Sequence, residues 1–105
     1  MGKYGNIKTV TSDGIKHDSV KEANRWCELN LMLRAGLIRD LQRQVKFELL
    51  PKQEGERAVY YIADFTYRDS NGRFHVEDVK GMKTDVYRLK KKLLLYFHGI
   101  RIEET

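Results

Sequence analysis

Cysteine and proline are nearly missing from this 105-residue chain, with one of each, and it has no long apolar run. A lone Cys27 allows no disulfide within the chain and no cysteine-built metal cluster. No stretch has enough consecutive apolar residues to span a membrane. The start, Met1-Gly2-Lys3-Tyr4-Gly5, lacks the apolar core of a signal peptide, so a cytoplasmic protein is expected. There is no Gly-rich phosphate loop, no Ser/His/Asp set and no zinc pattern. His17, His75 and His98 are scattered without metal-ligand spacing. Acids are outnumbered, 15 against 20 Lys and Arg, and the net charge of +5 favours a polyanionic partner. At 41% hydrophobic and 33% charged the chain is too apolar for disorder, and its length suits one domain with one core.

Local patterns then give the order of elements. Residues 1–18 are polar, with a short strand at Ile7 to Val10 and a turn at Ser12-Asp13-Gly14, and read as an arm or loose hairpin. Residues 19–105 read as a single domain. Ser19 and Glu22 have capping-box spacing, and their helix runs from about Val20 to Ala35, stopped by Gly36. Its apolar ridge is Val20, Ala23, Cys27 and Leu31, flanked by Trp26, Leu29 and Leu33; Lys21, Asn24, Arg25 and Glu28 lie opposite. Glu22 falls in line with Trp26, Leu29 and Leu33, on the apolar side. Leu37 to Asp40 is a connector. Alternation from Gln44 to Leu50 marks a strand that Pro51 ends. Ala58 to Tyr67 and Phe74 to Lys80 are two more strands, joined at Asn71-Gly72. The last helix starts at the Thr84 cap and runs to about Phe97, with Val86, Leu89, Leu93 and Phe97 as its core stripe. Ile100 to Ile102 is a final strand. The expected class is α/β, more narrowly α+β: helix, three-strand antiparallel meander, helix, strand.

The chemistry is carried by Val76-Glu77-Asp78-Val79-Lys80-Gly81, a strand with three charges where Val and Ile belong. Asp78 and Lys80, two apart, leave the same face; Glu77 leaves the other and is expected to partner a basic residue. The neighbouring strand has Asp64 in the middle of an apolar run. A buried charge is costly unless paired, metal-bound or at a cleft, so two readings stand. One is a structural ion pair at a strand end. The other is a hydrolytic site in which Asp64, Asp78 and the Val79 carbonyl hold Mg²⁺ or Mn²⁺, and Lys80 orients or deprotonates water, or neutralises a transition-state phosphate. Glu22 is either the helix cap or a further ligand of that site. Lys83 and Lys90 border it by sequence. Arg88 and Lys91, with Lys92, form either a solvated helix face or a surface for DNA phosphates. Cys27 and Trp26 read as core, and His75 as a strand-surface residue opposite Asp78.

These residues resemble the PD-(D/E)xK nuclease superfamily, and within it a small phage and prophage family of unknown function, related to Holliday-junction-resolvase-like and TnsA-like endonucleases. The resemblance rests on Ser19-Val20-Lys21-Glu22-Ala23, Leu41-Gln42-Arg43-Gln44-Val45, Ile62-Ala63-Asp64-Phe65, the Asp78-Val79-Lys80 element and the Lys-rich helix with Tyr87 and Lys90. It covers nearly everything from Asp18 onward, with Ala63 in place of the nominal Pro. It implies a restriction-endonuclease-like core, a mixed sheet with helices on both sides, dependence on Mg²⁺ or Mn²⁺, and a phage or prophage protein working in a bacterial host. By match, Asp64 is the first catalytic acid, Asp78 and Lys80 form the D-x-K element, Glu22 is the helix acid and Gln44 lines the site. The implied activity is hydrolysis of phosphodiester bonds in branched DNA by a homodimer. The competing expectations are a non-catalytic DNA-binding accessory and a nuclease subunit that needs a partner.

Overall fold

A computed structural model describes residues 8–80 and 83–105. Strands β1 (Thr9–Val10) and β2 (Lys16–His17) pair as an antiparallel hairpin. Helix α1 (Val20–Arg34) follows, then β3 (Ile38–Leu50), β4 (Val59–Asp69), β5 (Phe74–Asp78), helix α2 (Asp85–His98) and β6 (Glu103–Glu104). The main sheet has the order β3-β4-β5-β6, antiparallel except for the parallel β5–β6 pair. The expected order of elements therefore holds, and the class is α+β with a mixed sheet. The hairpin expected near the start is present, although Ile7 lies outside the described residues, as does Gly81.

Local chemistry sets the boundaries. Ser19 caps α1 by accepting from the Glu22 N–H, and Thr84 caps α2 by accepting from the Tyr87 N–H. Gly99 ends α2 in the left-handed conformation at φ 67°, which glycine adopts without a Cβ clash. The turn into β5 is closed by Asp69, whose side chain accepts from the Asn71 and Arg73 amides. Three boundaries differ from expectation. Leu37 to Asp40 is not a connector throughout, because β3 already begins at Ile38; a register shift between Arg39 and Gln42, with Asp40 at φ 55°, breaks the alternation there. Strand β5 ends at Asp78, so Val79 and Lys80 follow it. The final strand is Glu103–Glu104, while Ile102 is buried just before it.

Helix α1 buries one flank of its expected apolar side, with Glu22 in it as expected, while α2 buries a different stripe from the expected one. On α1 the buried residues are Glu22, Ala23, Trp26 and Leu29, whereas Cys27 and Leu31 are exposed. On α2 they are Tyr87 and Leu94, and Val86, Leu89 and Phe97 are exposed. Two clusters make the core. Trp26 and Leu29 pack with Ile38, Phe65 and Tyr67. Tyr87 and Leu94 pack with Leu49, Tyr61, Ala63, Val76 and Ile102. On β5, Val76 belongs to the α2 cluster while Glu77, the next residue, reaches α1. Successive strand side chains leave opposite faces, so the helices lie on opposite sides of the sheet there. On β4 the odd-numbered residues change helix between Ala63 and Phe65. Asp64 sits at that change.

Candidate active site

The twist of β4 brings the two strand acids together. Pairing of Phe65 with Glu77, continued one step, sets Asp64 opposite Asp78. The Asp64 side chain accepts the Val79 N–H at 2.7 Å. Both Asp78 oxygens are held: Oδ2 accepts from the Tyr61 hydroxyl at 2.6 Å, and Oδ1 lies 3.3 Å from Lys80 Nζ. Asp78 is only 3% exposed. The Lys80 ammonium also sits 4.2 Å from the centre of the Tyr87 ring, which fixes it by a cation–π contact.

The electrostatics follow from crowding acids in a buried place. Burial first, and then a hydrogen bond and charge repulsion from Asp78, push the Asp64 carboxyl up from 3.8 to about 8; the Glu22 charge pushes the same way. Burial and the Asp78 carboxylate likewise raise the Tyr61 hydroxyl far above its ordinary range. So Asp64 feels the charges of Asp78 and Glu22, and its own carboxylate calls for a proton or a cation.

Glu22 is a cap residue by its backbone only. Its N–H completes the Ser19 cap, but its buried carboxylate faces His17, with Oε2 3.4 Å from Nδ1. Gln44 would face Asp64 in the β3–β4 register, between the pairs Arg43–Phe65 and Val45–Ala63, and its backbone has φ 55°. A non-glycine residue there is strained by about 1 kcal/mol or more. The four basic residues divide. Lys83 and Lys91 both bind Glu104, at 3.0 and 3.2 Å, and Lys91 is thus not directed freely outward. Arg88 is exposed and lies 3.5 Å from Asp85; Lys90 is half-buried. The Tyr87 hydroxyl, followed by Lys83, holds the Glu104 carboxyl down at about 2.

Glu77 finds the basic partner expected of it, a bidentate bond from Arg25 at 2.7 and 2.6 Å, and also accepts from Tyr67. His75 is more than a surface residue: it bridges Asp69 and Glu103 and stacks on Tyr67. His17 was the residue hardest to anticipate, since a lone histidine in a polar arm carries no signal. Only its placement three residues after the Asp13-Gly14 turn could have hinted that the hairpin folds it inward.

Among the described residues no three His, Cys, Asp or Glu side chains gather closely enough to hold a metal by themselves. What is present is a pair of facing carboxylates with a third acid acting through its charge. That oxygen set fits a hard divalent cation such as Mg²⁺ or Mn²⁺, which keeps several waters. Asp64 and Asp78 would hold it, and it would lower the pKa of a bound water and offset phosphate charge.

A small α+β fold that sets buried Asp78 against half-buried Asp64, with a lysine fixed on Asp78, is the class this molecule defines. The chain belongs to the family described as Protein of unknown function (DUF1064), which residues 1–103 match. No curated protein and no solved structure matches it.

Proposed function

We propose that the chain is a metal-dependent endonuclease that hydrolyses DNA phosphodiester bonds, with branched DNA such as a Holliday junction as its substrate. What supports this reading most is the pairing of Asp64 with Asp78 across two strands, with Lys80 held on Asp78 at 3.3 Å. A purely structural ion pair needs one acid per base. Here buried Asp78 and half-buried Asp64 stand together, one lysine reaches Asp78 alone, and Asp64 retains a proton to about pH 8. In the proposed reaction Asp64 and Asp78 would hold the cation, water attacks the phosphorus while one ester oxygen leaves and takes up a proton, and the Lys80 ammonium offsets the negative charge that builds on the phosphate. Lys90 and Arg88 contact flanking phosphates, joined by Lys83 and Lys91 when the DNA backbone draws them from Glu104. That internal engagement also favours the second reading, a nuclease subunit that becomes active only with a partner.

The first test is cleavage of a labelled four-way junction with Mg²⁺ or Mn²⁺ at low salt, beside linear duplex and single-stranded controls. Paired symmetric nicks confined to the junction are expected. Equal cutting of every substrate would keep the nuclease and remove the junction preference; binding of metal without any cutting would move the assignment to the partner-dependent subunit.

Symmetric cutting needs a twofold dimer. Its surface in this proposal is the exposed stripe of α2: Val86 at 63%, Leu89 at 58% and Tyr96 at 81%, with half-buried Leu93 between them. Their steps of three, four and three residues are those of a two-helix seam, so a second copy of α2 is the matching partner. Antiparallel packing sets opposite helix ends side by side and pairs Val86 with the partner's Tyr96 and Leu89 with the partner's Leu93. Leu89→Lys is expected to shift the protein to monomer by light scattering and to remove the concentration dependence of its melting temperature. A dimer that survives this change would place the interface elsewhere.

A further inference from the structure

The last strand sets a further acid beside Asp78. Strand β6 runs parallel to β5, with Asp78 paired to Glu104 and Glu77 to Glu103. Paired residues on neighbouring strands leave the same face. Glu104 therefore stands next to Asp78, while Glu103 leaves the other face and meets His75 at 2.6 Å. On the Glu104 side lie α2 and Lys83 just before it. Lys83 Nζ is 3.0 Å from Glu104 Oε1 and Lys91 Nζ 3.2 Å from Oε2, and the Tyr87 hydroxyl donates to Oε2 at 2.7 Å. Both carboxylate oxygens are thus taken by donors from α2 and its entry, and Glu104 is not offered to a cation at Asp78.

Tethering β6 does not account for this set of donors. The strand is already held by its pairing with β5 and by buried Ile102 just before it. Beyond it the Thr105 N–H donates to the Asp78 carbonyl at 3.1 Å, and the Lys80 N–H to the Thr105 carbonyl at 3.3 Å. Ion pairs open to water add little stability, and the Lys83 and Lys91 side chains are 48% and 42% exposed. Two ammonium groups against one carboxylate leave a positive charge in excess. Ammonium and phenol groups all donate, and phosphate oxygens accept from them as carboxylate oxygens do. Tyr87 joins this set to the site, since Lys80 Nζ lies 4.2 Å from its ring centre and 3.3 Å from Asp78.

We propose that Lys83, Lys91 and the Tyr87 hydroxyl form a site for a backbone phosphate next to the one at Asp64 and Asp78, and that the Glu104 side chain occupies it as an internal competitor until DNA displaces it. The place of this phosphate beside the cut one rests on the nuclease reading given above. Glu104 leaves by turning about its own side-chain bonds, while β6 stays paired. The two lysines are thereby kept ordered without DNA, and only an anion that offers oxygens to all three donors replaces the carboxylate.

The experiment is fluorescence anisotropy of the labelled four-way junction with the whole chain in EDTA, at about 0.1 M salt, with a melting curve for each variant. No divalent cation takes part in this binding. Glu104→Gln keeps an acceptor for Tyr87 and removes the competing charge. It is expected to bind roughly tenfold more tightly than the native chain, the size of one added phosphate contact at that salt. Glu103→Gln removes the same charge on the opposite face and is expected to stay within about threefold of the native chain. With Lys83→Ala and Lys91→Ala in place, Glu104→Gln should gain no more than Glu103→Gln does, because its effect runs through those two lysines. Equal gains from Glu104→Gln and Glu103→Gln, or none from either, overturn the inference. If Glu104→Gln does not fold, Glu104→Asp decides, since its carboxylate is one methylene further from both lysines: tighter binding supports the site, and native affinity overturns it. The two readings fail differently. Tighter binding by Glu104→Gln in a chain that never cuts keeps the phosphate site and removes the nuclease; junction cutting with unchanged binding in Glu104→Gln removes this inference alone.

Discussion

Asp64→Asn is expected to lose metal-dependent cleavage completely and, in EDTA above about pH 8, to melt at a higher temperature than the native chain. The two effects have one cause. In the native fold the Asp64 carboxyl titrates at about 8, against 3.8 ordinarily, because burial, Asp78 and Glu22 all oppose its charge. Between those values the folded chain holds a proton that the unfolded chain has released. Stability without metal is therefore full below about pH 4, falls as pH rises, and levels off once Asp64 ionises in the fold. At about 1.4 kcal/mol per pH unit, the span from 3.8 to about 8 sets an upper limit of roughly 6 kcal/mol. Asn imitates the protonated acid, still accepts the Val79 N–H and carries no charge. A gain of about 2 kcal/mol would raise the midpoint by roughly 10 °C in a domain of this size. Melting curves from about pH 5 to about pH 9 should slope downward in the native chain and less steeply in the variant, where His75, raised against its burial by Asp69 and Glu103, still loses its proton. Mn²⁺ should flatten the native curve too, by replacing the proton, and should do nothing for Asp64→Asn. A native curve that rises with pH in EDTA would falsify the proposed crowding of acids.

The acids of this site were legible because strands advertise them. Asp64 interrupts a run of Tyr, Ile, Ala and Phe, and Asp78 and Lys80 do so at a spacing that keeps them on one side. Glu77, on the other side, could be paired with a base for the same reason, although periodicity alone did not single out Arg25. The helices were harder. On α1 the ridge positions Val20, Cys27 and Leu31 stayed exposed, and burial went to Ala23 with the flank containing Glu22, Trp26 and Leu29. The winning stripe has polar partners that come from elsewhere, His17 and Asp13 in the hairpin, and a helical periodicity contains no information about them. The same competition decided α2. Tyr87 is buried in place of Val86 because its ring receives Lys80 and its hydroxyl reaches Glu104. Backbone strain leaves no mark in residue types either: glutamine is an unremarkable strand residue, yet Gln44 stands opposite Asp64 with a positive φ.

Arg25→Met is expected to destabilise the fold by about 3–5 kcal/mol, because it strands Glu77 as a buried charge with one remaining partner. Glu77 is 1% exposed and is held by both arms of the Arg25 guanidinium and by Tyr67. The cost belongs to the orphaned carboxylate rather than to the lost attraction. Replacing the whole set with apolar residues, Arg25→Met with Glu77→Leu and Tyr67→Phe, should therefore recover most of the loss, and urea unfolding of the two variants measures the difference. Cleavage should not recover with it. Arg25 lies three residues after Glu22 on α1, and Glu77 directly precedes Asp78 on β5, so this clamp sets how far one acid stands from the other. An apolar contact in the same place is non-directional and lets the helix slide by fractions of an ångström that a cation site does not tolerate. The triple variant is thus expected to be a stable protein with weakened Mn²⁺ binding and little cutting. Full cleavage in that variant would show that α1 finds its place by packing alone, and that Arg25 and Glu77 serve only the core.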